Sequence, residues 1–452
     1  MIAALTSRPP RPTPPGPPGL PLLGSALEFR RDPFGFLERI ARDHGDIVHS
    51  HFLGHQLYMV CDPRHVEQVL VARRDRYTKD RFLRGLHVVL GQGLLLSEGG
   101  LWKQQRRLMA PAFAHRHVGG YARTITACAD QHAAALRPGV TDVGAAMMHL
   151  ALDIALRALF GSDTSSDADA TQIGVAVTAI GEHFADLVTT PVPLPLWVPT
   201  PGHRALRRAV HLLDALVARI LATRRAAPPV PEDSPHDLLG MLLAARADDG
   251  TGMPDRQLRD EVLTLLLAGH ETTAQALTYA LRLLALHPDL QARLHAELAL
   301  HGPAAPLLEQ VVLETMRLYP SVATLGREAI APDEIGGYPI PVGGTVILPQ
   351  WVIHRDPRHF PDPTRFHPER WTPEFRKQLP RCAYFPFGGG ARVCIGEAFA
   401  MLEARLALAE LVRRWQFQPG DAAPFAVIQA VTVRPKYPVR LMLIPRQEPH
   451  HG

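Results

Sequence analysis

The longest uninterrupted helical pattern in the chain covers residues 255–286 and is closed by His287 and Pro288, a helix stop. Other helical patterns cover residues 33–43, 63–72, 101–113, 119–137, 143–160, 206–225, 306–318 and, last, 395–415. Strand signals are short. They fall at residues 46–52 and 56–60, then at 326–330, 338–341 and 345–348, and in the alternating tail 427–444. This order predicts a mainly α protein with small β-sheets (α+β) at the two ends of the sequence. A length of 452 residues would allow about three domains. Two proline-rich loops, residues 189–202 and 228–235, are candidate linkers, yet the helix between them is too short to be a domain, and no internal repeat appears. The expected organisation is a Pro-rich leader (residues 1–24), one domain (25–446) and a short tail (447–452). Eight prolines between Pro9 and Pro21 make the leader an extended, poorly packed arm or an early turn.

Charge and cysteine usage remove several classes. The net charge of +4 is too thin over this length for a nucleic-acid binder, which needs concentrated basic patches. The longest apolar runs, such as Val262 to Gly269, fall short of the roughly 18 residues of a membrane span, and prolines from Pro9 onward interrupt any signal peptide. Cys61, Cys128, Cys382 and Cys394 never stand at CxxC spacing, which speaks against zinc ribbons, iron–sulfur clusters and disulfide scaffolds. A soluble, cytoplasmic protein is expected. Three catalytic motifs also fail. His270-Glu271 begins like HExxH, but Ala274 stands where the second zinc ligand belongs. His354-Arg355-Asp356 lacks the asparagine of a kinase loop, and Val393 breaks the glycine pattern of a dinucleotide loop that Gly388 to Gly390 would start.

One segment carries chemistry: Phe385-Pro386-Phe387-Gly388-Gly389-Gly390-Ala391-Arg392-Val393-Cys394-Ile395-Gly396, just before the last long helix. Its glycines accept the positive φ angles of a tight loop. That loop delivers one cysteine to a helix start, where free N–H groups and the helix dipole stabilise a thiolate. Gly396 lets something flat approach the backbone. A thiolate so held suits the axial position of a haem iron. For the other three cysteines the default of a buried structural residue stands.

Phe387, Gly390, Arg392, Cys394 and Gly396 match F-x-x-G-x-R-x-C-x-G, so the chain resembles the cytochrome P-450 family. Corroborating motifs follow in family order: Trp102 with Arg106, Ala268 to Thr273, Glu314 with Arg317, and Pro368 to Trp371. The resemblance implies a triangular helical prism, with haem b between the long distal helix and the cysteine-loop helix and the Cys394 thiolate as axial ligand. It places Trp102, Arg106, Arg327 and Arg392 against the haem propionates, for which guanidinium forks are suited. Glu314 and Arg317, which share a helix face at i,i+3, would be joined by Arg370 in a buried support for the cysteine loop. Trp371 stands where phenylalanine is common, a tolerable swap.

The same resemblance makes Ala268, Gly269, Glu271 and Thr272 the oxygen groove. Gly269 costs helix stability, about 1 kcal/mol against alanine, so something flat or bulky approaches there. Thr272 can bond the Ala268 carbonyl and Thr273 the Gly269 carbonyl. Thr272 would then hydrogen-bond the bound dioxygen, with Glu271 relaying protons from solvent, while His270 lines the pocket or points away. The implied reaction is monooxygenation, one oxygen atom of O2 entering the substrate and the other leaving as water. The chain carries no flavin domain, so a ferredoxin or flavodoxin with its reductase would supply electrons, and Lys103, Arg107, Lys377 and Arg381 could steer it. Pocket segments near residues 81–97, 180–198, 322–325 and 426–430 are apolar, with His183 and Asp186 as polar handles. A carotenoid or other isoprenoid is the first expectation and a fatty acid the second. A haem-binding sensor or carrier would use the same cysteine loop without turnover, and a haem-free scaffold would strand Arg106, Arg327 and Arg392 in the interior.

Overall fold

A helix from Asp255 to Leu286 runs through the middle of the molecule and is buried on nearly every side, so it belongs to the interior rather than to a surface layer. The computed structural model describes residues 12–161, 167–190, 194–226, 237–244, 250–420 and 425–446. In chain order its main helices are α1 (Pro33–His44), α2 (Gly99–Met109), α3 (Ala122–Ala135), α4 (Val143–Ile154), α5 (Asp167–Thr189) and α6 (Pro201–Ala226). Then come the central α7 (Asp255–Leu286), α8 (Pro288–His301), α9 (Pro306–Leu318) and α10 (Glu397–Arg414). Helices α4, α9 and α10 pack on α7, and α3 packs on α10, so one apolar core joins them. Pro288 both ends α7 and opens α8 at its first turn, where a missing N–H costs nothing.

Two expectations about elements need correction. The sheets do not divide between the two ends of the sequence. Strands β1 (Ile47–Phe52), β2 (His55–Val60), β3 (Tyr77–Lys79), β4 (Leu325–Ala329) and β5 (Thr345–Leu348) form a single sheet in the order β1-β2-β5-β4-β3. The parallel β2–β5 pair stitches the early strands to the late ones. Sequence pattern shows strands but not partners, and here the partners lie more than two hundred residues apart. Helix α5 is also absent from the sequence pattern. Its buried Ile173, Ala176, Val177 and Ile180 keep helical spacing, but Gly174, Gly181 and β-branched residues blur the signal. The loop at residues 228–235 lies outside the described residues. Near the C-terminus come the hairpin β6 (Val427–Gln429) and β7 (Val433–Pro435) and, as a separate sheet, the three strands Gly139–Asp142, Trp415–Pro419 and Arg440–Pro445.

The second half of the proline-rich leader is not loosely packed. Strand β1 is a sheet edge, and the leader covers it: the His49 N–H donates to the Pro15 carbonyl at 2.9 Å and the Ser25 N–H to the His51 carbonyl at 2.8 Å. Gly24 sits at φ 58°, and a Cβ there would overlap the His51 carbonyl oxygen. Gly24→Ala is therefore expected to lower stability by at least about 1 kcal/mol from backbone strain alone. A urea midpoint equal to that of the native protein would show that the leader contributes nothing to the fold.

Candidate active site

The cysteine loop is closed by its own backbone. The Cys394 N–H donates to the Phe387 carbonyl at 2.9 Å and the Val393 N–H to the Gly390 carbonyl at 3.1 Å. Gly388 and Gly390 take φ of 77° and 67°, and a Cβ on Gly390 would overlap the Leu70 carbonyl oxygen. Glycine is required there by conformation and by space. Helix α10 begins at Glu397, two residues later than the sequence pattern suggests, so Cys394 precedes the helix and Gly396 is its N-cap. The Gly396 N–H bonds the Cys394 sulfur. The crowding of protein around the thiol raises its pKa, while that hydrogen bond and Arg106 pull it down. Cys394 is nevertheless solvent-accessible, whereas Cys61, Cys128 and Cys382 are buried.

Behind the loop stands a carboxylate with five donors. Glu314 accepts from Arg317 Nε and Nη2, both at 2.9 Å, from Arg370 Nε at 3.0 Å, and from the His367 N–H at 2.9 Å. The fifth donor is the Trp371 indole N–H at 2.9 Å, so tryptophan at this position adds a hydrogen bond that phenylalanine could not make. The remaining donors of Arg317 reach the carbonyls of His354, Pro363 and Arg365. Both Glu314 and Arg317 side chains are fully buried. Trp371 in turn lies against Tyr384, with ring centroids 4.5 Å apart. The Phe385 N–H donates to His354 Nε2 at 3.0 Å, and Gln350 Nε2 donates to the Phe385 carbonyl. The network therefore braces the entry to the cysteine loop.

A cation cluster flanks the same loop. Arg106 Nη1 donates to the Val393 carbonyl at 2.7 Å. The Arg392 guanidinium lies 4.0 Å from the Trp102 ring centroid, donates to the Ser97 carbonyl at 2.8 Å and pairs with Glu98. Arg392 Nη1 is buried and has no partner among the described residues. Arg327 is buried and makes one hydrogen bond among them, to the Gly326 carbonyl. A fourth cation, Lys79, escapes sequence reasoning. Strand register sets Lys79 directly opposite Arg327, a like-charge pair that an antiparallel ladder ordinarily avoids. Lys79 is buried, and its ammonium makes no ion pair among the described residues. Burial, then Arg327 and Arg392, push its pKa down to about 7. Only the β3–β4 pairing, invisible in sequence, reveals it.

The middle of α7 breaks its own burial pattern. Ala268 is exposed and Gly269 and Thr272 are half-exposed, although His270, Glu271 and Thr273 around them are buried. No protein side chain crowds Gly269: a methyl there would meet only Leu159 Cδ1, at 3.9 Å. Thr272 Oγ1 donates to the Ala268 carbonyl at 2.8 Å. Thr273 does not bond Gly269 but turns to Glu403 on α10, whose buried carboxyl is pushed well up. His270 is buried and its Nδ1–H bonds the Leu266 carbonyl at 2.8 Å, along its own helix. Glu271 is buried. Its side chain is 7% exposed, and Thr432 and Arg434 of the β6–β7 hairpin hold it. Neither partner is marked by a sequence motif. His183 stands beside His203, which with burial lowers its pKa, and on the surface Arg381 already pairs with Glu67.

Comparison with known proteins identifies the family. The family described as Cytochrome P450 matches residues 14–442. Cyclooctatin synthase of Streptomyces melanosporofaciens is 35% identical over 88% of this chain and 89% of its own length. Pentalenene oxygenase of Streptomyces avermitilis is 29% identical, covering 94% and 96%. A solved structure of retinoic acid-bound cyanobacterial CYP120A1 superposes with a TM-score of 0.85 at 27% identity, covering 96% of this chain and all of that one. The chain belongs to the cytochrome P450 family and is a monooxygenase of that family. Among the described residues, no helix is long and apolar enough to cross a membrane.

The residues fit the family's haem-thiolate group. An accessible cysteine sulfur lies beside Arg106, in the loop that carries Arg392, and Lys79 and Arg327 stand near Arg392; of these four cations Arg392 alone has a carboxylate in ion-pair contact among the described residues, and a bound group with two carboxylates would balance the buried charge. Two outcomes test these supports. Trp371→Phe should cost about 1–3 kcal/mol, because it leaves Glu314 short of a buried donor, and an unchanged urea midpoint would refute that bond. For Lys79, the unfolded chain keeps the proton up to about pH 10. Between about pH 7 and 10 the unfolded state therefore binds more protons, and the haem-free protein should gain stability as pH rises. The Lys79→Met variant should lose that rise; equal slopes in both proteins would contradict the burial of a charged ammonium.

Proposed function

We propose that this monooxygenase holds haem b through the Cys394 thiolate and inserts one oxygen atom of O2 into a sizeable apolar isoprenoid, a cyclic terpenoid first. Electrons come from a separate ferredoxin or flavodoxin with its reductase. The observation that carries the reading is the pairing of one accessible cysteine with the cation cluster of Lys79, Arg106, Arg327 and Arg392. In a haem-free scaffold only Arg392 would have a carboxylate in ion-pair contact among the described residues, Glu98, and the other three cations would lack one. The terpenoid choice is supported by relatives whose names specify such substrates, among them cyclooctat-9-en-7-ol 5-monooxygenase, 32% identical over 88% of this chain, and the pentalenene oxygenase.

Thiolate-ligated haem supplies the reductive activation of dioxygen. The chain supplies the rest. Arg106, Arg327, Arg392 and Lys79 hold the propionates, and Trp102 backs Arg392 with its ring face. Ala268 and Gly269 keep the distal strip of α7 low enough for a flat group and a small molecule to meet it. The Thr272 hydroxyl spends its own proton on the Ala268 carbonyl, so its lone pairs face outward as acceptors. Glu271 is the nearest carboxylate in sequence to that hydroxyl and is the group that takes protons up and passes them on. Apolar residues of segments 81–97, 322–325 and 426–430 bury the substrate, and the exposed Lys103, Arg107 and Lys377 offer an acidic redox partner a basic surface.

The test is a Soret titration of the purified ferric protein with cyclooctat-9-en-7-ol, pentalenene, retinoic acid and a long-chain fatty acid. A saturable low-to-high-spin shift with a terpenoid, followed by product with a surrogate redox system, is the expected result. A shift with the fatty acid alone would replace the substrate class, and binding without product would point to a sensor. In parallel, Cys394→Ser should abolish the thiolate signature of the ferrous carbonyl spectrum. Thr272→Ala should lower product per reducing equivalent about tenfold or more while peroxide release rises.

A further inference from the structure

The pocket segments 81–97, 322–325 and 426–430 hold few polar side chains, and most of those are engaged elsewhere. Arg81 and Arg84 pair with Glu328, the His87 ring bonds the Gly91 carbonyl, Ser97 bonds Gln105, and Gln92 is exposed. On α5, Asp186 is exposed and His183 stands beside His203. Thr324 and Gln429 remain, and they touch. Gln429 Nε2 donates to Thr324 Oγ1 at 3.3 Å, beyond the ordinary range of such bonds. Gln429 Oε1 is shut off from solvent and accepts no hydrogen bond among the described residues. The Thr324 hydroxyl proton has no acceptor among them either.

Their neighbours fix where this pair stands. Gln429 lies opposite Val433 across the β6–β7 hairpin. The Val433 N–H donates to the Ser321 carbonyl at 2.9 Å, and the Ser321 hydroxyl donates to the Thr272 carbonyl at 2.9 Å. At the other end of the same stretch Leu325 borders the cysteine loop: a Cβ on Gly388 would stand 3.5 Å from Leu325 Cδ1. Residues 321–325 therefore run from the accessible strip of α7 to the loop of Cys394, and the amide and hydroxyl sit along that run.

We propose that Gln429 and Thr324 are the specificity-determining handle for a hydroxyl group, so that the substrate is a terpenoid alcohol rather than a hydrocarbon or an acid. The inference rests on the reading of this chain as an isoprenoid monooxygenase and names the polar group its substrate carries. Gln429 Oε1 needs a donor and the Thr324 O–H needs an acceptor, and one hydroxyl supplies both. A hydrocarbon supplies neither, and by expelling water it would leave both groups unpaired. An ether can accept from Thr324 but has no proton for Oε1. A carboxylate would set its charge against that oxygen, while Arg434, the cation of the hairpin, is already tied to Glu271. Anchored by its hydroxyl, an otherwise apolar molecule can bring only a few of its carbons over the α7 strip.

The experiment is a Soret titration of the haem-loaded ferric protein with matched probes. These are cyclooctat-9-en-7-ol, its methyl ether, the same hydrocarbon without the hydroxyl, retinoic acid and a long-chain fatty acid. The alcohol should bind about tenfold or more tightly than the ether and the hydrocarbon. Gln429→Leu and Thr324→Val should each bring alcohol and hydrocarbon within about threefold of one another, whereas Thr324→Ser, which keeps the hydroxyl, should retain the preference. With a surrogate ferredoxin and reductase, Gln429→Leu should also spread the product over more carbons, a change that a loss of stability alone would not produce. Equal affinity of the native protein for alcohol and hydrocarbon would overturn the handle while the isoprenoid reading stands. So would a preference for the alcohol that survives both Gln429→Leu and Thr324→Val, or retinoic acid binding as tightly as the alcohol. A shift with the fatty acid and with no isoprenoid would overturn the reading beneath it, and the handle with it.

Discussion

A single buried carboxylate organises the proximal half of this molecule. Glu314 has no solvent and five protein donors, and those donors gather pieces of chain that must otherwise find their own places: the last turn of α9, the segment at His367, and the Arg370-Trp371 corner. A buried ion pair is by itself weak evidence of stability, since the desolvation of both partners offsets their attraction. Here full satisfaction changes the balance, because both oxygens of Glu314 and every N–H of the Arg317 guanidinium are matched. What the network delivers is position. Through Trp371 and Tyr384, and through His354 and Gln350, it fixes where residue 385 begins, and the cysteine loop hangs from that point.

The loop and the cation cluster then answer opposite electrostatic demands. Burial raises the pKa of the Cys394 thiol, yet a sulfur that is to ligate the proposed haem iron must be an anion. Arg106 serves this need twice, lowering the thiol's pKa and holding the Val393 carbonyl next to it. On the far side, Lys79 and Arg327 face each other across a strand pair, and Arg392 stands near both. Glu98 pairs with Arg392, while Lys79 and Arg327 have no ion-pair partner among the described residues in a poorly solvated place. The fold therefore stores unfavourable charge that a propionate-bearing group would relieve, which would make group binding and folding parts of one equilibrium.

How much of this could be read from the sequence follows from what sequence can encode locally. The limits of α7 and α9 were legible to the residue, because apolar runs and prolines mark them. The cysteine loop was legible because only glycine tolerates its positive φ angles and its contact with Leu70. What stayed hidden depends on pairing across long stretches of chain. Lys79 looks like any lysine until β3 lies beside β4. Arg434 looks like a surface arginine until its hairpin reaches α7. The indole of Trp371 looks like a neutral aromatic exchange because a hydrogen bond to Glu314 needs the third dimension. Even α5 was hidden, since one of the glycines that weaken its helical signal is the one on which Arg434 rests.

The central helix resolves the remaining conflict. A helix buried on all sides would be most stable if uniformly apolar, yet α7 carries Asp260, Glu261, His270, Glu271 and Thr273 inward. Most of these inward groups are answered by an element other than α7. The Gln92 N–H answers Asp260, the Leu94 N–H answers Glu261, Arg434 answers Glu271 and Glu403 answers Thr273. Each such contact ties a loop, hairpin or helix to the axis of the molecule, so polar burial that costs α7 stability specifies where its neighbours sit. The stretch with fewest such ties is Ala268, Gly269 and Thr272, where the Ser321 hydroxyl meets the Thr272 carbonyl at 2.9 Å; Gly269 and Thr272 are poor helix formers, and surrounding elements leave the stretch accessible. The proposed oxygen groove occupies the place where the helix is least committed to its own packing.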